Sequence, residues 1–207
     1  MQSQKSRKNR IMIECAVMIA LASVLSLFKI WEAPLGGAVT VFSMVPIIII
    51  GLRHGPTWGF CTAYVYSFTQ LLLGLGSFAY IPTVTGTVFS VLFDYIIAFT
   101  IIGAAGFFKS AVEKYPTRGK KIIFASIATL IACILRYICH FISGVVVWYE
   151  ITKAGDWNEY VHTVGAFVYS TVYNATYMIP ETIITLVAAP AIVTILSAIG
   201  KKKNDPL

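Results

Sequence analysis

Charge is what this 207-residue chain has least of. Only 12% of its residues are Asp, Glu, Lys or Arg, 57% are hydrophobic, and its mean hydropathy is +0.78. A water-soluble domain carries about 25% charged residues, so the composition excludes a globular protein in water and predicts an all-α integral membrane protein. The chain also lacks a G-x-x-x-x-G-K-[ST] loop, which excludes ATP hydrolysis by the usual P-loop route. H-E-x-x-H and C-x-x-C are missing too, so neither a metal nor a cofactor is expected. Cys15, Cys61, Cys133 and Cys139 all fall within apolar runs without ligand spacing, and they read as small buried hydrophobes. With no low-complexity linker and no internal repeat, residues 1–207 read as a single transmembrane domain.

What is abundant is apolar length. A helix needs about 20 apolar residues to cross a bilayer, and six segments qualify, near residues 11–30, 39–53, 57–75, 87–108, 122–149 and 168–199. The second is short and the last two are long. The basic residues give the orientation. Lys5, Arg7, Lys8, Arg10, Arg53, Lys109, Lys114, Arg118, Lys120, Lys121 and Lys201 to Lys203 fall on one side, while the other side has only Lys29 and Lys153. The positive-inside rule then places both termini in the cytoplasm. The net charge of +7 is thus accounted for at the span ends, and a nucleic-acid partner is excluded.

Five ionisable side chains fall at or near membrane depth: Glu14, Asp94 and Glu181, with Arg136 and His140. In the fifth segment Arg136, His140, Gly144 and Trp148 recur every four residues and share one helix face. Arg136 reads as a structural group that snorkels or pairs with an acid. His140 and Trp148 read equally as site residues or as core. In the sixth segment Tyr169, Tyr173 and Tyr177 follow the same step, with Asn174 and Glu181 on an adjacent face and a kink expected at Pro180. A tyrosine stripe alone reads as core or interfacial belt, but here an amide and a carboxylate join it. Asp94, beside Tyr95 in "VLFDYIIAF", either pairs with Arg136 or Lys29, stays neutral, or meets a ligand. A carboxylate among Tyr95, Tyr169, His140 and Trp148 suits an aromatic cation, since cation–π contacts are worth about 2 kcal/mol when desolvated. "CHFISG" offers His140 and Ser143 on one helix with no second helix supplying a base, so an intramembrane protease is disfavoured. In the first helix "ECAVMIALAS" sets Ala16, Ala20 and Ser23 on a strip that allows close helix approach, inside the protein or to a partner.

Taken together, these residues resemble a known family. Six spans, a basic inner side, no ATPase motif and an alanine strip in the first helix are similar to the S-components of energy-coupling factor (ECF) transporters. "LRYICHFISGVVVW", "VYSTVYNATYMIPETIITL" and "FDY" resemble the thiamine-specific, YuaJ-type members, over about residues 11–198. The resemblance implies a substrate-binding protein and not an enzyme. Its thiamine-binding residues fall on Asp94, Tyr95, His140, Trp148, Tyr169 and Asn174, with Trp31 contributed by the first outer loop. It implies that acid and amide groups hold the aminopyrimidine while aromatic rings face the thiazolium. It also implies that Ala16 and Ala20 dock on a transmembrane coupling subunit that carries two ATPase subunits. Some members have glutamate where Asp94 stands, and the loop "YEITKAGDWNEYVHTVG" leaves Trp157 without an assigned role. Two alternatives stay open: the same architecture binding another heterocyclic vitamin or a thiamine precursor, and a self-contained secondary carrier.

Overall fold

The computed structural model describes residues 2–155 and 158–201. Trp157, Lys202 and Lys203 lie outside the described residues. The chain is helical almost throughout, as the apolar runs predict. Helix α1 spans Gln2–Leu27. A small antiparallel hairpin follows, β1 (Lys29–Glu32) and β2 (Ala38–Thr40), which the hydropathy pattern does not signal. Next come α2 (Val45–His54) and α3 (Pro56–Leu73), then the long rods α4 (Val84–Lys114) and α5 (Arg118–Lys153). Helices α6 (Ala166–Val187) and α7 (Ala189–Lys201) complete the chain.

Local chemistry explains the boundaries. Helix α2 begins with Pro46 in its first turn, where a missing N–H is free of consequence, and it ends at Gly55, whose φ of 90° suits only glycine. Pro56 then starts α3. The Thr83 hydroxyl caps α4 by accepting the Gly86 N–H at 3.2 Å. Helix α6 continues through Pro180, and a bend of 41° separates α6 from α7 at Ala188.

Helix α1, α4 and α5 are each long and apolar enough to cross a membrane, and the bent pair α6–α7 makes a fourth candidate among the described residues. Helix α2 has 10 residues, about 15 Å at 1.5 Å per residue, half the hydrocarbon thickness of a bilayer. Residues 39–43 of the expected second span are instead hairpin and turn. The outward faces carry apolar side chains such as Val17, Phe107, Ile134, Ile183 and Val187, which water would not tolerate in such numbers and lipid does. The chain is a membrane-embedded protein.

The core lies where α1 to α5 and α7 meet, around Met44, Ile47, Ile48, Tyr66, Phe99, Ile102 and Ile192. Lipid is as apolar as leucine, so helices in a membrane are drawn together by packing, and small residues let them close in. Gly51 and Gly59 face Gly106 and Gly103 of α4 across such a contact. At the opposite end from the hairpin, Glu14 of α1 ties to α2 through Arg53 and through His54 Nε2 at 3.1 Å. The three buried cysteines and exposed Cys61 are all free, and the described residues hold no cluster of metal ligands.

A methyl group on Gly103 would sit 2.5 Å from the Phe60 amide nitrogen. Gly103→Ala is therefore expected to push α4 off α3 and lower the unfolding midpoint in detergent by about 4 °C or more. An unchanged midpoint in a scanning fluorimetry experiment would show that the helices are not in that contact.

Candidate functional site

Two helices of the bundle depart from α-geometry at the same level. Residues Val91–Ile96 of α4 and Gly144–Trp148 of α5 are π-helical, each with a wider turn than its surroundings. Single π-turns inside helices are rare and mark functional sites. The first contains Asp94 and Tyr95; the second ends in Trp148. The wider turns aim these side chains into one cavity of about 660 Å³.

Asp94 is the centre of this cavity. Its Oδ2 accepts from Ser90 Oγ and Ser143 Oγ at 2.6 Å each and from Trp148 Nε1 at 2.8 Å, and its Oδ1 lies 3.2 Å from His140 Nδ1. Hydrogen bonds to a charged group are worth about 1.5–3 kcal/mol each, so the cluster fixes the rotamers of four side chains on α4 and α5. Asp94 pairs with neither Arg136 nor Lys29 among the described residues. The contact to Asp94 also sets the tautomer of His140. With Nδ1 donating, Nε2 of the neutral ring is an acceptor, and no protein group reaches it.

Helix α6 forms the facing wall. Gly144 is needed there, because a Cβ would come 2.1 Å from Ser170 Oγ and 2.9 Å from Asn174 Nδ2. Asn174 donates to the Ser170 and His140 carbonyls at 2.8 and 3.3 Å, and its Oδ1 accepts the Tyr177 hydroxyl. The tyrosine stripe packs ring against ring, Tyr169 on Tyr173 at 5.6 Å and Tyr173 on Tyr177 at 6.3 Å.

The hairpin is the roof, and α6 holds it. Tyr173 Oη accepts the Leu35 N–H and donates to the Gly36 carbonyl, both at 3.1 Å. Gly37 (φ 88°) lies against the Tyr177 ring so closely that a Cβ would be 2.5 Å away. Glu181, 1% exposed, accepts the Thr40 amide and its hydroxyl, the latter at 2.7 Å. Steps of four residues along α6 thus meet successive points of the hairpin. At the mouth Lys29 and Glu32 pair at 2.6 Å.

Five of the seven sequence-predicted binding residues line the cavity: Asp94, Tyr95, His140, Trp148 and Asn174. Tyr169 stands behind Tyr173, bonded to Thr152 Oγ1 at 2.6 Å, and supports the wall without lining it. Trp31 is 44% exposed on β1 and does not line the cavity, while its strand neighbours Lys29 and Glu32 do. The reading of Arg136 as a residue paired with an acid is corrected. Arg136 lines the cavity, has no carboxylate within 4.0 Å among the described residues, and stacks over Phe99 at 4.4 Å. Sequence reasoning missed Ser90 and treated the hairpin as an ordinary loop. The only available signal for the hairpin was the Gly36–Gly37 pair. Ala16 and Ala20 are exposed on α1.

Tyr173→Phe keeps the ring stack and removes both bonds to the roof. Amide exchange at residues 33–38 is expected to accelerate at least tenfold, read by mass spectrometry. Unchanged protection would mean that the hydroxyl does not hold the hairpin.

The comparisons with known proteins agree with this geometry. Residues 12–201 match the Thia_YuaJ family, described as thiamine transporter protein. The thiamine transporter ThiT of Bacillus subtilis (strain 168) is 35% identical over 178 residues, 84% of each chain. Its namesake from Lacticaseibacillus paracasei is 22% identical over 196 residues, 93% of this chain and 90% of the relative. The fold matches the solved structure of ThiT from Listeria monocytogenes with a TM-score of 0.70 at 24% identity, over 95% of this chain and 97% of that one. A carboxylate set among aromatic rings in a membrane bundle, together with a family match over nearly the whole length, leads to one conclusion: this chain belongs to the Thia_YuaJ family of thiamine transporter proteins.

Proposed function

We propose that the chain is a thiamine-binding S-component that captures thiamine outside the cell and delivers it inward together with an ATP-hydrolysing ECF module. As a member of a transporter family it is not an enzyme. The observation that carries the reading is the Asp94 cluster. One carboxylate, braced by Ser90, His140, Ser143 and Trp148, opens onto a cavity walled by Tyr95, Trp148, Tyr173 and Tyr177.

Thiamine matches that wall in kind. It is a permanent monocation with a flat aminopyrimidine and a flat thiazolium. The rings and indole offer π-faces to the cation. Asp94 and His140 Nε2 offer acceptors to the pyrimidine amine, with Asn174 fixing the facing backbone. A cavity of about 660 Å³ lies within the usual range for small-molecule sites.

In this reading α2 and α3 complete six crossings with α1, α4, α5 and the α6–α7 pair. Both termini face the cytoplasm, the hairpin covers the site from outside, and all of residues 1–207 form one substrate-binding domain. The exposed Ala16 and Ala20 dock on the transmembrane coupling subunit, whose two ATPase subunits supply the energy this chain cannot. The geometric reason is that small side chains on an exposed helix face allow another helix to approach.

Two measurements test the proposal. Titrating ligand-stripped protein in detergent with thiamine is expected to quench tryptophan fluorescence saturably at one-to-one stoichiometry, with calorimetry agreeing. Asp94→Asn should weaken binding at least a hundredfold, because the negative charge facing the cation is lost and the amide nitrogen would meet His140 Nδ1. Trp148→Ala should cost a similar factor, and full affinity in both variants would remove the site assignment. Liposomes holding the chain alone should accumulate no thiamine, whereas liposomes that also hold the coupling and ATPase subunits should accumulate it with ATP. Uptake by the chain alone would identify a secondary carrier instead.

A further inference from the structure

The Asp94 cluster accounts for one end of the cavity. The other end is built around Arg136, one helical turn beyond His140 on α5 and about 6 Å along the axis. Arg136 is 6% exposed, yet its charge meets no carboxylate within 4.0 Å among the described residues. Its Nε has no partner at all, and Nη1 reaches only the Met44 sulfur at 3.2 Å. A guanidinium has five donors and no acceptor, and among the described residues the buried Nε of this one is left without a partner while the group lines the cavity. Phe99, on which Arg136 stacks, also packs edge-on against Tyr66 at 5.6 Å, and the buried Tyr66 hydroxyl likewise has no partner among the described residues. Leaving a buried donor unmade is costly. The acid closest in role, Glu181, is already engaged by Thr40 and Ser43 of the roof.

The cavity is therefore polarised. Acceptors, Asp94 and His140 Nε2, stand at one end, and the Arg136 donors stand at the other. We propose that Arg136 is a specificity-determining residue whose guanidinium binds the oxygen on the side arm of the ligand. The inference rests on the thiamine reading of the same site. A flat cationic body held at Asp94 and Trp148 then extends its oxygen-bearing arm to Arg136. That oxygen is the alcohol of thiamine itself or an oxygen of its phosphate ester; both are acceptors and both match a guanidinium. Charge favours the alcohol. Two carboxylates, Asp94 and Glu181, and one guanidinium line the wall away from the paired mouth residues, so a monocation balances the site and an added phosphate dianion does not.

The test compares three ligands by calorimetry in detergent: thiamine, its analogue with ethyl in place of hydroxyethyl, and thiamine monophosphate. Wild-type protein is expected to bind thiamine at least tenfold more tightly than the ethyl analogue. In Arg136→Gln the ratio should fall to within about threefold, and Arg136→Lys should restore part of it. If instead monophosphate binds most tightly to the wild type and loses that advantage in Arg136→Gln, the arm at Arg136 is the phosphate ester. Equal losses for all three ligands would show that Arg136 is only structural and overturn the inference, as would a wild type that does not distinguish thiamine from the ethyl analogue. Should Arg136→Gln not fold, Arg136→Lys is read in its place, and a thiamine-to-ethyl ratio equal to that of the wild type would overturn the inference. Absence of thiamine binding by folded wild-type protein would overturn the thiamine reading itself, and is a different result from binding without discrimination.

Discussion

The structure depends on the carboxylate of Asp94. In a low-dielectric bundle a single acid is costly unless it is hydrogen-bonded on all sides. Here Ser90 comes from one turn earlier on α4, and His140, Ser143 and Trp148 come from successive turns of α5. Both π-turns lie at the level of this convergence, with Asp94 inside one and Trp148 closing the other. The irregular helices and the buried acid are thus two aspects of one arrangement. The bonds that satisfy the charge also fix the indole ring and the imidazole tautomer.

A second dependence runs across the cavity through α6. One helix supplies an inner face to the site, through Asn174 and Tyr177, and a set of attachments to the roof, through Tyr173, Tyr177 and Glu181. A shift of α6 therefore moves the roof and the wall together. The hairpin has only three paired positions, too few for a two-stranded sheet to stand alone. Its order derives from α6. Hydrogen bonds to one helix thus hold the hairpin over the cavity.

The remaining polar groups divide by satisfaction. Asn174 and Glu181 have their hydrogen-bonding capacity met by the protein. Arg136 Nε, His140 Nε2 and the Tyr66 hydroxyl do not. Of these, Arg136 and His140 line the cavity and the Tyr66 hydroxyl does not.

The sequence by itself determined the class, because 57% hydrophobic residues and 12% charged ones leave a chain no stable option in water. It also determined most of the helical segments, since apolar length and period are local properties, though not that residues 39–43 are hairpin and turn. The stripes Arg136–His140–Gly144–Trp148 and Tyr169–Tyr173–Tyr177 were legible for the same reason, and the local motifs carried the family. Tertiary structure decided what no local pattern contains. Asp94 and Trp148 are 54 residues apart, and only helix packing shows that they share a bond. The hairpin was hidden because its stability comes from contacts to α6 some 138 residues away. The outward exposure of Trp31 and the missing ion pair of Arg136 among the described residues were hidden for a related reason. Which way a strand faces, and whether a buried charge finds an acid, depend on neighbours brought from elsewhere in the chain.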